Sequence, residues 1–209
     1  MNDQPSSTSH EGVGRVFGKF IVLALLLGAL FWIARSLILA PLDGAEKQAE
    51  YFGQAAPPFG LALDSAVRLP TGAAVIRFTR STGEPALPSD VLFLEFTGRG
   101  AVDQLLSAAS DEDEEGGAEA RRKEWEQDKS FDWSTPIKRG DIAWGAWSSK
   151  LLIERSFKKG GGWSEEARVD LSSPRRFLVL CVRWPGETPA DEKRLRELLA
   201  TIVLAPAGS

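Results

Sequence analysis

The chain has 209 residues, of which 43% are hydrophobic and 26% are charged, and this is the composition of an ordinary globular protein. Its formal net charge is −4 and no stripe of Lys and Arg accompanies it, which argues against a nucleic-acid partner because that affinity depends on clustered basic residues. With one cysteine, Cys181, an intramolecular disulfide is excluded, and the apolar run around it predicts a small buried side chain.

The N-terminal part divides into a tail and an apolar segment. Residues 1–19 form a polar tail, rich in Gly and Ser, that we expect to be disordered; its His10 has no neighbouring metal ligands. Residues 20–40 are apolar apart from Arg35, and their 21 positions at 1.5 Å per residue span about 31 Å, close to the thickness of the hydrocarbon layer. This segment predicts a transmembrane signal-anchor helix that holds the protein in the cell membrane.

A cleaved signal peptide is the alternative, since Arg15 and Lys19 could form its basic region. The cleavage site is unfavourable, because Pro41 follows Ala40 directly and signal peptidases tolerate proline badly at the first mature position. We therefore favour an uncleaved, single-pass anchor. The short tail favours an N-terminus inside the cell, which places the soluble domain, residues 41–209, outside the cytoplasm.

Helices and strands alternate in the first part of this domain. Helical spacing of apolar residues predicts a helix that ends at Gly53 and another over residues 102–109. Strand patterns predict three β-strands, at residues 61–69, 73–80 and 91–96, the first two joined as a hairpin.

Residues 110–130 form an acidic, mixed-charge insertion or loop. The acidic run at 111–115 lacks the alternating Asp spacing that would direct several oxygens at one Ca²⁺ ion, so we predict a solvated loop there. The stretch that follows, up to Lys129, has the mixed charge of a loose surface helix.

The C-terminal part predicts strands and a final helix. The predicted strands are residues 137–139, 142–157, 164–171 and 176–184, with a turn at Gly140-Asp141 and a flexible connection at 160–162. The last three strands should form an antiparallel meander, and residues 177–182 are apolar on both faces, which predicts a central strand covered on each side. The chain ends with a helix at 189–203, for which Thr188 is the predicted N-cap.

Together these elements predict an α+β fold: an antiparallel sheet of about six strands flanked by helices, behind a single transmembrane helix. The order of hairpin, strand, helix, meander and terminal helix is similar to that of the small α/β/α sandwiches of the PsbP-like group. No sequence motif accompanies this similarity, so the prediction is of a fold class and not of a family.

Signatures of catalysis are absent from the sequence, which has no nucleophile elbow, no Walker loop and no His-Glu-x-x-His or Cys-x-x-Cys motif. We therefore expect no catalytic residue, no cofactor and no metal site. Carboxylate catalysis remains as an alternative, because a retaining glycosidase needs two carboxyl groups about 5 Å apart. Strand alternation argues against it by placing most of the candidates on solvent faces. The candidates are Glu154, Glu165, Glu166 and Asp170.

Tryptophan is unusually frequent, with seven in the chain. Several should pack in the core, and Trp144 and Trp147, three apart on one predicted strand, should point to opposite faces. Exposed tryptophans can stack on sugar rings or anchor a protein interface. The candidate ligand-binding residues are Trp147 and Trp163, of which Trp163, beside the glycine turn, is expected to be the more exposed.

These observations favour a non-enzymatic interaction or binding module, tethered to the membrane by residues 20–40, whose partner is a protein or an envelope polymer. Two alternatives stay open. A carboxylate-dependent hydrolase of envelope glycans would need two of the acids to converge in a Trp-lined cleft. A structural accessory subunit of a membrane complex would need an exposed apolar patch.

Overall fold

The computed structural model of the protein describes residues 40–81, 84, 86–107, 117–144 and 147–203. Contacts divide the chain after Ala40, and the fold below is that of the second unit, Pro41–Ser209. The predicted tail and all of the predicted anchor except Ala40 lie outside the described residues. Ala40 itself lies in a short strand and not in a helix, because the proline that follows restricts it to extended backbone. Within the described ranges, no helix is long and apolar enough to cross a membrane.

The described residues form four α-helices and eight β-strands. The helices are α1 (Gly44–Phe52), α2 (Arg99–Ser107), α3 (Gly117–Gln127) and α4 (Glu192–Thr201), with a short 3₁₀ turn at Pro58–Gly60. The strands are β1 (Ala40–Pro41), β2 (Ala62–Arg68), β3 (Ala74–Thr79), β4 (Asp90–Phe96), β5 (Trp133–Trp144), β6 (Trp147–Phe157), β7 (Trp163–Asp170) and β8 (Phe177–Arg183).

All eight strands belong to one sheet in the order β1-β2-β3-β4-β8-β7-β6-β5, and the pairs from β2 onward are antiparallel. Two meanders, β2-β3-β4 and β5-β6-β7-β8, join where β4 pairs with β8. The predicted α+β class, hairpin and C-terminal meander are confirmed. The predicted strand number of about six is too low, since the described sheet has eight.

The prediction of a turn at Gly140-Asp141 is wrong. Strand β5 runs without a break through both residues, and the hairpin closes where Trp144 pairs with Trp147. This register buries Ile142 and Leu151, which are 1% and 3% exposed, on one face of the sheet. Burial and a continuous ladder of backbone hydrogen bonds therefore outweigh the local turn signal. Trp144 and Trp147 consequently lie side by side on the same face, which corrects the prediction of opposite faces.

Helices cover the sheet on both faces. On the first, which we call the α1/α4 face, Tyr51 and Phe52 of α1 and the leucines of α4 pack against the main core. On the second, the α2 face, Val102 packs against Val179 and Cys181. Strand β8 supplies side chains to both layers, since its alternate residues belong to the two cores. The central, two-sided strand and the buried Cys181 are thus confirmed.

Capping residues set the ends of the helices. Asp43 accepts hydrogen bonds from the backbone N–H groups of Ala45 and Glu46 (2.9 and 3.1 Å), and α1 ends at Gly53, where φ is +64°. The predicted N-cap of the terminal helix, Thr188, is wrong: Asp191 caps α4.

Helix α4 begins later in the chain than predicted because the residue before its cap is bound to strand β7. The backbone N–H of Ala190 donates a hydrogen bond to Oε2 of Glu165 at 2.7 Å. The residue just before the cap is therefore tied to β7, and Asp191 instead accepts from the N–H groups of Lys193 and Arg194.

Helix α3 occupies most of the predicted mixed-charge stretch and belongs to a small separate core. Trp125 from α3 packs with Trp133 of β5 and Phe157 of β6, and the rings of Trp133 and Phe157 stack at 4.6 Å between centroids. The acidic run at 111–115 lies outside the described residues.

Candidate functional site

The four candidate carboxylates do not form a catalytic pair. Glu154 and Glu166 face each other across β6 and β7 on the α2 face, as the register predicts. The guanidinium of Arg168 contacts both, at 2.8 Å from Glu154 and 2.9 Å from Glu166. Both carboxylates are therefore engaged in ion pairs with the same arginine.

The other two carboxylates are also structural. Glu165 is 2% exposed, on the α1/α4 face, and accepts hydrogen bonds from Arg155 Nε at 2.9 Å and from the backbone of α4's cap region. Asp170 pairs with Arg99 of α2 at 2.7 Å, and it accepts a hydrogen bond from the Ser172 N–H at 3.0 Å. The expectation of a solvent face is wrong for Glu154, which is buried; Glu165, for which strand alternation predicted no solvent face, is buried as well. Arginine partners make their burial possible.

The described part of α2, nine residues from Arg99 to Ser107, packs on one face of the sheet through Val102. Beside it lies a cavity of about 390 Å³, which we call the charged cleft. Its apolar lining includes Leu92, Leu94, Leu105 and Cys181, and its polar lining includes Arg77, Asp90, Glu166 and Arg183. Arg77 pairs with Asp90 and Arg183 with Glu166, each at 2.7 Å, and Arg168, the fifth charged residue of the lining, contacts Glu166 at 2.9 Å.

The Cys181 thiol forms part of the lining of the charged cleft. It is 4% exposed, and burial raises its pKa to about 12. A thiol with this pKa is almost wholly protonated at neutral pH and is a poor nucleophile or metal ligand. Among the described residues, no group of three or more His, Cys, Asp or Glu side chains converges as a metal site.

The two predicted ligand-binding tryptophans have different environments. Trp147, at the start of β6, is 71% exposed, whereas Trp163, at the start of β7, is half-buried. Arg155 lies over the Trp163 ring, 4.3 Å from its centroid, and Phe157 pairs with it across the strands. The expectation that Trp163 would be the more exposed is therefore wrong.

Trp147 and Trp163 do not form a shared platform. Trp163 pairs with Phe157, which is ten positions along β6 from Trp147, a separation of about 33 Å for an extended strand. Trp144 beside Trp147 is half-buried, and its indole N–H donates to the carbonyl of Leu199 at the end of α4 (2.8 Å). Trp147 is thus an exposed ring on a firmly held hairpin.

The outer edge of β5 is a surface that the sequence prediction missed. β5 is the last strand of the sheet, and residues 137–141 are all exposed, with Ile137 at 45%. A bulge lies between Pro136 and Lys138. Proline and charged residues within a strand pattern are typical of sheet edges, and this signal could have identified β5 as one.

Comparison with known proteins gives no relative from which a function could be transferred: no protein-family model matches the chain, and no curated protein matches it.

Proposed function

We propose that this protein is a non-enzymatic interaction module, tethered to the cell membrane by residues 20–40, that contacts a protein or an envelope polymer with Trp147. One observation carries the proposal: this large ring is 71% exposed at the tip of a hairpin whose neighbouring tryptophan is fixed to α4. A solvent-exposed aromatic ring on a well-ordered hairpin is typical of a residue that anchors a protein interface.

The surroundings of Trp147 fit a binding role better than a packing role. Its cross-strand neighbour Trp144 is half-buried, so two tryptophans occupy facing positions at this end of the sheet. Aromatic residues are enriched in the central part of protein interfaces, which fits a binding role for this end of the sheet.

The alternative of a carboxylate-dependent glycan hydrolase receives no specific support from the geometry. Each candidate acid is bound by an arginine, and the charged cleft, which contains Glu166, contains neither Trp147 nor Trp163. The alternative of an accessory subunit shares its chief requirement, an exposed apolar surface, with the proposed function. The two differ in whether the partner is permanent.

The proposed function is tested by purifying the tagged full-length protein from gently solubilised membranes and identifying what remains bound. We expect a stoichiometric partner with the wild-type chain and its loss with Trp147→Ala, because truncating an interface anchor costs about 2 kcal/mol or more, roughly a thirtyfold loss of affinity. Isolated envelope polymer is tested in parallel by co-sedimentation.

Val203→Ala is the matched control. Val203 is also an exposed apolar residue, at 58%, but its backbone N–H donates a hydrogen bond to the carbonyl of Tyr51 in α1, away from the β5-β6 hairpin. This variant should retain the partner. Equal retention by Trp147→Ala and Val203→Ala would contradict the proposed role of Trp147.

A further inference from the structure

The charged cleft beside α2 changes from charged to apolar along the direction of the strands, and strand register shows where the change lies. One row of facing residues across β4, β8 and β7 is entirely charged: Asp90 lies opposite Arg183, and Arg183 lies opposite Glu166. Two residues further along β4, on the same face, Leu92 lies opposite Cys181. The floor of the cleft therefore begins with this charged row and continues as an apolar surface.

The apolar part of the cleft has room for a small ligand tail. Leu94 follows Leu92 on the same face of β4, so the floor extends about 13 Å from Asp90 to Leu94 in extended strand. Leu105 of α2 also lines the cleft and belongs to the same small core as both leucines. The cavity volume of about 390 Å³ lies within the range of small-molecule sites. An apolar group of a ligand can therefore leave water here.

Both carboxylates of the charged row are already bound by arginines. Asp90 accepts hydrogen bonds from Nε and Nη2 of Arg77, at 3.1 and 2.7 Å. Glu166 accepts one from Nε of Arg168 at 2.9 Å and one from Nη2 of Arg183 at 2.7 Å. A cationic ligand would therefore have to compete with guanidinium groups that are already in place.

Arg183 is the side chain of the charged row that keeps hydrogen-bonding capacity while paired. It binds Glu166 through Nη2, and a guanidinium carries five N–H donors on three nitrogens. Among the residues that the structure describes, none accepts a hydrogen bond from its Nε or Nη1, and the side chain is 48% exposed. The ligand group that fits beside it is therefore an acceptor, and a guanidinium binds oxyanions most strongly.

We propose that the charged cleft binds a small amphipathic anion, a carboxylate on an apolar tail. The carboxylate accepts hydrogen bonds from Arg183 at the charged row, and the tail lies along Leu92 and Leu94 beside α2. Three arginines and two acids line the cleft, so its net charge favours an anion as well. A single charge fits best, because a phosphate would bring more negative charge next to Asp90 and Glu166.

Binding of linear carboxylates to the full-length chain in lipid nanodiscs tests the site, with empty nanodiscs of the same composition as the reference. We expect saturable binding whose affinity rises about fourfold for each added methylene from butyrate through hexanoate to octanoate, because the tail leaves water. Octyltrimethylammonium, a cation with a similar tail, should bind about tenfold more weakly than octanoate or worse. Equal or tighter binding of this cation, or no saturable binding of any carboxylate, would overturn the proposal.

Arg183→Gln tests the role of the guanidinium. We expect the affinity for octanoate to fall about tenfold, because hydrogen bonds to a charged group are lost. Glu166 keeps its bond to Arg168 in this variant, so the cleft keeps an ion pair at the charged row. The control is Arg196→Gln, which replaces a 60% exposed arginine of α4 and should bind octanoate as the wild-type chain does. Equal affinities of the two variants would overturn the assignment of Arg183.

Cys181 reports where the ligand lies, because it is the only cysteine of the chain and it lines the cleft. Octanoate should slow the reaction of Cys181 with methyl methanethiolsulfonate, with half of the protection at the concentration that half-saturates binding. In Arg183→Gln the same protection should need about tenfold more octanoate. Saturable binding that leaves the reaction of Cys181 unchanged would place octanoate outside the cleft and overturn the proposal.

The inference goes beyond the proposed function, because Trp147 is not among the residues that line the cleft, and the two proposals fail separately. Trp147→Ala should bind octanoate with wild-type affinity, and Arg183→Gln should retain the partner that is purified from membranes. A chain that binds its partner through Trp147 but binds no carboxylate would overturn the cleft site alone.

Discussion

At the scale of single residues, the most concentrated set of interactions holds helix α1 on the sheet. Glu95 of β4 accepts a hydrogen bond from the Tyr51 hydroxyl at 2.5 Å and is paired with Lys47 at 3.2 Å and with Arg176. The Tyr51 ring stacks on Phe93 with 3.9 Å between centroids. Burial opposes ionisation of Glu95, but the Tyr51 hydrogen bond and the charges of Arg176 and Lys47 outweigh it and hold the pKa of Glu95 below its usual range.

This balance predicts a pH-dependent effect of Glu95→Gln. At pH 7 the substitution should lower the free energy of unfolding by about 2 kcal/mol, because it removes a half-buried charge bound by three donors. Because the folded-state pKa is lowered, the stabilisation is present above the unfolded-state value of about 4.3 and is lost as pH falls through the folded-state pKa. Urea unfolding at pH 7 and pH 3 measures the difference, which should shrink at pH 3.

The control for this measurement is Glu46→Gln, which replaces an exposed acid of helix α1. It should change the free energy of unfolding by less than about 0.5 kcal/mol. If the effect of Glu95→Gln is as large at pH 3 as at pH 7, ionisation of Glu95 is not what stabilises the contact.

At the scale of elements, sequence patterns located most helices and strands but not the β5-β6 hairpin. The apolar spacing that predicts α1, α2 and α4 is a local pattern, and these helices form where it predicts them, with boundaries shifted by a few residues. The position of the turn between β5 and β6 depends instead on which residues of β5 lie opposite Leu151 and Ile153. This register involves residues that are distant in sequence. Gly140-Asp141 is a good turn sequence, but as extended backbone it lets Ile142 reach the core.

Helix α3 packs on the sheet through a small core, and we predict that one side chain, Trp125, accounts for most of this packing. Trp125, 7% exposed, packs on Phe157 with 4.9 Å between centroids. Trp125→Ala should remove most of this contact and release α3 without unfolding the sheet, because the small core that it shares with Trp133 and Phe157 is separate from the main one.

Hydrogen exchange measures this effect. Amides of Gly117–Gln127 should exchange at least tenfold faster in Trp125→Ala, while those of β4 and β8 keep their rates. Lys123→Ala, an exposed position on the same helix, should leave α3 protected. Faster exchange throughout β4 and β8 would show that α3 and the sheet unfold as one unit.

At the scale of the whole molecule, stability depends on a sheet that is covered on both faces. Strand β8 lies at the centre of this arrangement, paired with β4 and β7 and contributing residues to both cores. Leu180, which is fully buried, packs in the larger core.

Leu180→Ala should therefore destabilise the entire domain. We expect a loss of about 3 kcal/mol in the free energy of unfolding, from lost burial and from the cavity left behind. Urea unfolding should show a lower midpoint with an unchanged slope, because the whole sheet unfolds together. Val203→Ala, at an exposed position, should leave the midpoint unchanged within error. A loss below about 1 kcal/mol for Leu180→Ala would contradict a tightly packed centre.

The candidate site was only partly predictable. Trp147 was chosen because exposed tryptophans stack on sugar rings or anchor interfaces, but the exposure of the two tryptophans was predicted in the wrong order. Trp163 is covered by Arg155, a residue from the neighbouring strand whose position depends on register. The edge position of β5 was missed because its central residues, Gly140 and Asp141, were taken for a turn, although Pro136 and the charged residues of the strand are an edge signal.

Sequence patterns were enough to predict the α+β class, the C-terminal meander, the two-sided central strand and the burial of Cys181, because periodic apolar residues show which faces must leave water. Other features became visible only in the folded structure. Pairing of each acid with an arginine, the position of the β5-β6 hairpin and the exposure of Trp147 all depend on strand register. Register is set by how the whole sheet buries its side chains, and no local pattern encodes it.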